Sequence, residues 1–259
     1  MSGYNHSQVW LAEFVGTTIL VLLGLGGVAN GVLPGTKGHG FGILGVALSF
    51  ALGIFIAQQC VGHISGFFNP AIALAGAVVG NIHWTHFWIC FSAEFVGGFF
   101  AAIIVWISYF PHFQSLEQEV KLSVFASRPS VRQQYWLSCV WSECFYTGLL
   151  SFAVLSISNR GSLAIIAMPE VSLFKEELQP LFTGLLIFVL ILCGGGTTGP
   201  ALNPARDLAP RFAHWILPIP GKGPSEWWYS WVPVVAPCVG AVLGGLFAKS
   251  MKHMLVAGL

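Results

Sequence analysis

Apolar runs long enough to cross a bilayer recur along the chain, separated by short polar or Gly/Pro-marked breaks. They cover Trp10 to Val32, Phe41 to Val61, Trp84 to Phe110, Tyr135 to Ile157, Leu181 to Cys193 continuing into the Gly194 to Leu202 stretch, and Tyr229 to about Met251. A helix needs about 20 residues to span hydrocarbon, and the pattern predicts six spans. Two further apolar runs are too short to cross. They extend from Asn69 to about Gly80 and from Asn203 to about His214, and read as re-entrant half-helices. Between spans, Leu33 to Gly40 and Trp215 to Trp228 are polar, Gly/Pro-rich loops. Pro111 to Gln134 carries Glu117, Glu119, Lys121, Arg128 and Arg132 and reads as an exposed connection. Ser158 to Pro180 reads as a second connection, its apolar Leu163 to Pro169 stretch lying on the membrane surface.

Both short runs open on Asn-Pro-Ala. Asn69 and Asn203 suit the N-cap, where the side-chain oxygen accepts from an orphan backbone N–H. Pro70 and Pro204 suit the first helical position, followed by Ala71 and Ala205. The halves match beyond the tripeptides: Glu13, Thr17 and Leu20 against Glu143, Thr147 and Leu150, with Glu13 56 residues before Asn69 and Glu143 60 before Asn203. Three spans separate the copies, an odd number, so the second is inverted in the membrane. The expectation is one transmembrane domain over residues 1–259, with inverted repeats at about 9–110 and 135–253, and its site at the bilayer midplane. Ordinary surface helices between spans are the plainer alternative, but Gly and Asn are poor choices for a lipid-facing helix.

Composition agrees. The chain is 55% hydrophobic and 8% charged, with mean hydropathy +0.76, whereas soluble domains carry about 25% charged residues. A net charge of +1 offers nothing to nucleic acid. Met1 to Gln8 lacks Lys and Arg, so no targeting signal is read there. The six cysteines sit mostly in apolar segments without metal-ligand spacing. No nucleophile–base pair is visible, so neither an enzyme nor a cofactor or metal is expected. Loop Lys and Arg split five against four, giving no orientation signal.

Two helix N-termini meeting from opposite sides bring two positive dipole ends together. With the Asn oxygens engaged as caps, their NH2 groups remain as donors toward a lumen, and the Gly194 to Gly199 backbone offers carbonyls. Arg206 is costly at this depth unless hydrated or paired. Adjacent residues on a helix do not face each other, so Asp207 pairs better with Arg211 and Arg206 reads as a lumen donor. Glu13 and Glu143 read either as proton-relay acids or, better, as acceptors holding the two loops open. Glu94 has no counterpart, the matching position being Pro237, and its role is open. His63 reads as a hydrogen-bonding loop residue, and Trp227, Trp228, Tyr229 and Trp231 as an interfacial belt.

The markers AEFVGT at 12–17, GHISG before the first Asn-Pro-Ala, ECF at 143–145 and TGPALNPARDLAPR at 198–211 resemble the aquaporin family over essentially the whole chain. The resemblance implies an all-α membrane protein with six transmembrane helices, two half-helices, one pore per subunit, a homotetramer, and cytoplasmic termini in a cell membrane. Asp207, Arg211 and Pro233 lean toward the glycerol-conducting branch. Carried over motif by motif, the family's narrowest point falls on Phe50, Ile191, Pro200 and Arg206, with Gly199 and Ala201 beside Pro200. Glycerol channels of the family usually have Trp, Gly and Phe with the Arg. Water-specific ones have Phe, His and a small residue. The first motif also departs, since only Phe67 and Phe68 separate Gly66 from Asn69, so one residue and a His are missing and the register of the loop is open.

The expected function is passive flow of glycerol, other small uncharged solutes and water through lipid, with ions and protons excluded. A same-fold channel limited to water, urea, ammonia or hydrogen peroxide is the first rival. A proton-coupled transporter and a junctional structural protein follow.

Overall fold

In the computed structural model, which describes residues 3–114, 118–131, 135–167 and 178–257 (without side chains at 159–167 and 255–257), the described residues form helices and loops and no strand. The first half holds α1 (His6–Val32), α2 (Gly42–Val61), the short α3 (Pro70–Val78) and α4 (Trp84–Tyr109). A one-turn 3-10 segment, Phe110–Phe113, and α5 (Gln118–Phe125) connect it to the second half: α6 (Trp136–Ala167), α7 (Gln179–Gly194), the short α8 (Pro204–Ile216) and α9 (Val232–Ala257). Five of these helices are long and apolar enough to cross a membrane, and α7 adds a 16-residue apolar helix. Local chemistry sets the starts. Asn5 and Gln8 close a capping box on α1, with Gln8 N donating to Asn5 Oδ1 at 3.0 Å and Asn5 N to Gln8 Oε1 at 2.9 Å.

The halves repeat each other's packing. α1 lies against α4 and α2, α6 lies against α9 and α7, and α2 meets α7 between the halves. The half-helices are exchanged: α3 packs on α9 of the other half, and α8 packs on α4. Hydrophobic attraction between helices is absent in lipid, so close backbone approach must hold them. At Gly240 and Gly244 on α9, an added Cβ would fall 1.9 Å from Cys144 O and 2.0 Å from Gly148 O of α6. Only Gly fits there.

Two connections differ from the sequence reading. The stretch after the third span is not an exposed connection. Leu122, Val124, Phe125 and Ala126 are buried, because α5 folds back against α1 and α8. Lys121 is buried too, its Nζ donating to Pro220 O at 2.5 Å. The fourth span does not stop at Ile157; α6 continues to Ala167, since a helix that satisfies its own backbone tolerates polar side chains once clear of hydrocarbon. Glu117, Arg132, Lys175 and residues 168–177 of the second connection lie outside the described residues, as does the side chain of Arg160.

Candidate pore

The residues ahead of each half-helix take the same irregular path. Phe68 and Leu202 sit at φ +48° and +53°, a left-handed conformation costing non-Gly residues roughly 1–2 kcal/mol. A buried carboxylate holds each bend. Glu13 accepts from Phe67 N at 2.9 Å and Phe68 N at 2.8 Å, and Glu143 accepts from Ala201 N and Leu202 N at 2.9 Å. All four oxygens of the two acids serve backbone. The missing residue of the first motif therefore leaves the register at Asn69 intact. It is absorbed upstream, where seven residues (Gly62 to Phe68) join α2 to Asn69 and eight (Gly195 to Leu202) join α7 to Asn203.

Asn69 and Asn203 cap the half-helices, Asn69 Oδ1 accepting from Ala71 N at 3.0 Å and Asn203 Oδ1 from Ala205 N at 3.0 Å and Arg206 N at 3.1 Å. Pro70 and Pro204 are the first helical residues, and Ala71 and Ala205 the next. The Asn NH2 groups are not wholly free. Asn69 Nδ2 donates to Leu202 O at 2.8 Å and Asn203 Nδ2 to Phe68 O at 2.7 Å, crossing between the halves. Each amide keeps one further N–H.

Both Asn residues line one cavity of about 840 Å³. Its polar lining includes Gln58, His63, Asn81 and Gln179, and Phe50, Ile191, Pro200 and Arg206 line it as well, with Ala201 and Leu202. The structure thus brings together all but one of the expected lining residues. Gly199 does not line this cavity. It turns at φ +58°, donating its N–H to Gly195 O at 2.9 Å. Phe50 packs so tightly on α1 that a Cβ at Gly24 would fall 2.1 Å from its ring. The Arg206 guanidinium lies 4.9 Å above the same ring, 6% exposed, and its Nη1 meets no acceptor among the described residues. Asp207 is occupied elsewhere, with Arg211 Nε and Nη2 on its Oδ1 at 3.0 and 2.9 Å and Ser127 N and Oγ on its Oδ2 at 2.7 and 2.6 Å.

The carbonyls of Gly194 to Thr198 are not lumen acceptors. Ser142 Oγ takes Gly194 O, Gly199 N takes Gly195 O, Ser130 takes Gly196 O and Thr197 O, and Arg128 N takes Thr198 O. The folded-back connection covers this loop and engages three of these carbonyls, those of Gly196, Thr197 and Thr198; none of the five residues lines the cavity. Arg128 is fixed there in turn. Burial works against its charge, but Glu226 and Glu119 outweigh burial and hold it above its ordinary value. Tyr229 also departs from the belt reading, being buried with Cys139 and Val232 while Trp227, Trp228 and Trp231 are exposed.

Three contributors had no role assigned in the sequence reading. Glu94 accepts from Asn69 N at 2.9 Å. Gln58 Nε2 donates to Gly66 O at 3.2 Å from the cavity wall; two consecutive glutamines in an apolar span were the available signal. Lysines close the far ends of the half-helices, Lys249 Nζ on Val79 O at 2.9 Å and Lys222 Nζ on the carbonyls of His214, Trp215 and Leu217, where cations suit the dipole.

A family model described as Major intrinsic protein matches residues 2–248, and the chain belongs to the major intrinsic protein family: it is a multi-pass integral membrane protein, a channel and not an enzyme. It is 38% identical to a probable glycerol uptake facilitator protein of Thermotoga maritima, over 92% of this chain and 96% of that one. It is 38% identical to a glycerol uptake facilitator protein of Bacillus subtilis, over 91% and 81%. Among solved structures, the aquaglyceroporin from Plasmodium falciparum superposes with a TM-score of 0.80 at 25% identity, covering 98% of this chain and all of that one.

Proposed function

We propose that the chain forms a passive pore for glycerol and other small uncharged solutes, together with water, built as one channel domain over residues 1–259 with inverted repeats at 9–110 and 135–253. The observation that carries this reading is Arg206, whose guanidinium lies over Phe50 in the lining of a cavity that passes both Asn residues. A solute hydroxyl accepts there from the guanidinium while its carbon face slides over Phe50, Ile191 and Pro200. One polar stripe against apolar walls suits a polyol. At mid-depth the remaining N–H groups of Asn69 and Asn203 take over as donors, and the two positive helix ends disfavour cations and interrupt a proton wire. Gly199, in the turn beside Pro200, acts through that turn. Asp207, with Glu13 and Glu143, acts as support. The family fold also supports a homotetramer in lipid, each subunit with its own pore.

Glu13 and Glu143 have their oxygens on backbone N–H groups, which weighs against proton coupling. Ile191 in the lining favours one second reading, a pore limited to water or a smaller neutral solute. Stopped-flow swelling of reconstituted vesicles in a glycerol gradient separates the two. Glycerol entry well above empty vesicles supports the first; water flow without glycerol entry replaces it with the second.

A further inference from the structure

Behind the first re-entrant loop, Glu13 and Glu94 are both 0% exposed, and they accept from consecutive backbone N–H groups, Phe68 N and Asn69 N, which sets the two carboxyls side by side. Four donors reach the two groups. Ser65 Oγ and Phe67 N serve Glu13 Oε1, Phe68 N serves Glu13 Oε2, and Asn69 N serves Glu94 Oε1. Glu94 Oε2 has no partner among the described residues. The charged and titratable groups facing the pair are few: α1 presents only the Glu13 carboxyl itself, α4 presents Cys90, and α3 carries no charged residue. Arg206 has Asp207, Glu143 and Arg211 as its charged neighbours. No cation among the described residues serves Glu94. The second loop has nothing equivalent, because Pro237 stands at the matching position.

Two adjacent buried carboxylates without a cation cannot both stay ionised cheaply. A single shared proton removes the repulsion and satisfies the idle oxygen at once. We propose that Glu13 and Glu94 hold one proton between them, on Glu94 Oε2, and that the neutral Glu94 carboxyl is the positioning group that seats Asn69 beside the pore. Its O–H donates to Glu13, and its carbonyl oxygen accepts from Asn69 N. Loss of the proton to base leaves two facing anions, which push Glu94 off Asn69 and disturb the Asn69 bond to Leu202.

Infrared spectroscopy of the full-length protein in vesicles tests the proton directly, and glycerol flux tests its consequence; only the flux arm rests on the proposed pore function. The wild type is expected to show a protonated-carboxyl C=O band at neutral pH. That band vanishes in Glu94→Gln and bleaches as the pH is raised. Wild-type glycerol flux falls roughly tenfold along the same titration, equivalent to one unit of protonation free energy. Glu94→Gln, which keeps one acceptor and one donor, holds its flux across that range, whereas Glu94→Ala is low at every pH. A spectrum in which wild type and Glu94→Gln do not differ in this band overturns the proposal, as does a Gln variant as impaired as the Ala variant. Should Glu94→Ala not fold, the Gln variant and its spectrum still decide. Should the vesicles pass no glycerol at all, the pore reading fails while the band still rules on the proton.

Discussion

The two re-entrant loops share backbone angles, an Asn cap and one buried acid apiece, and differ in what else holds them. Asn69 sits at φ −158°, ψ 111° and Asn203 at −152°, 110°. Yet the first loop is short, rests on two acids and is tied to the cavity wall by Gln58. The second is longer, rests on one acid, and has its carbonyls taken by the connection through Arg128 and Ser130. Pro200, Arg206 and Ile191 also come from the second half and line the cavity together with Phe50 of α2. Symmetry therefore fixes where the helices start, and asymmetry distinguishes what supports each start.

The largest break in this comparison is expected from Glu143→Ala. It strips Ala201 and Leu202 of their acceptor at about 1–3 kcal/mol per buried N–H, with no second acid in reserve. Its thermal midpoint in detergent should fall by several degrees; Glu13→Ala, which strips Ser65 Oγ, Phe67 N and Phe68 N, should match it only because Glu94 still holds Asn69. A Glu13→Ala loss well beyond that of Glu143→Ala would mean the second acid contributes nothing. Arg206→Ala comes next: entry of solutes larger than glycerol, and of cations, should rise by about tenfold, measured as vesicle swelling and ion flux. Unchanged exclusion would remove Arg206 from the selective step. Ile191→Gly opens the wall opposite Phe50 and should raise the glycerol-to-water permeability ratio severalfold, about what one added or removed aliphatic group is worth in discrimination. An unaltered ratio would place the narrowest point elsewhere. Smallest of all, Ser130→Ala frees Gly196 O at about 1 kcal/mol while Thr197 O keeps the Ser130 N–H, lowering the thermal midpoint by a few degrees with the permeability ratio untouched. A changed ratio there would show that the connection tunes passage as well as holding the loop.

Much of this architecture is legible in the residues, for physical reasons. A helix in lipid must satisfy its own backbone, so apolar length alone marks the spans, and Asn followed by Pro marks a helix start wherever it sits. Acids at matching distances before those starts point to loop support. What the residues hide is partner choice over long range. Glu94 looks like a stray charge until Asn69 N is placed against it. The carbonyls of Gly194 to Thr198 look available until Ser130 and Arg128 arrive from the connection. That connection in turn looks solvated because Glu119, Lys121 and Arg128 stud it, although Lys121 finds a carbonyl and Arg128 finds Glu226. Polarity along a segment says that hydrogen bonds are needed, and does not say whether water supplies them.

The crossed amide bonds carry a consequence for biosynthesis. Phe68 O waits for a donor from Asn203 and Asn69 Nδ2 for an acceptor at Leu202, separations of 135 and 133 residues. A ribosome delivering the chain from its N-terminus inserts the whole first half before either partner exists. During that interval the early loop stands in the bilayer with unmet polar groups, and only arrival of the late half turns two incomplete hairpins into one conduit.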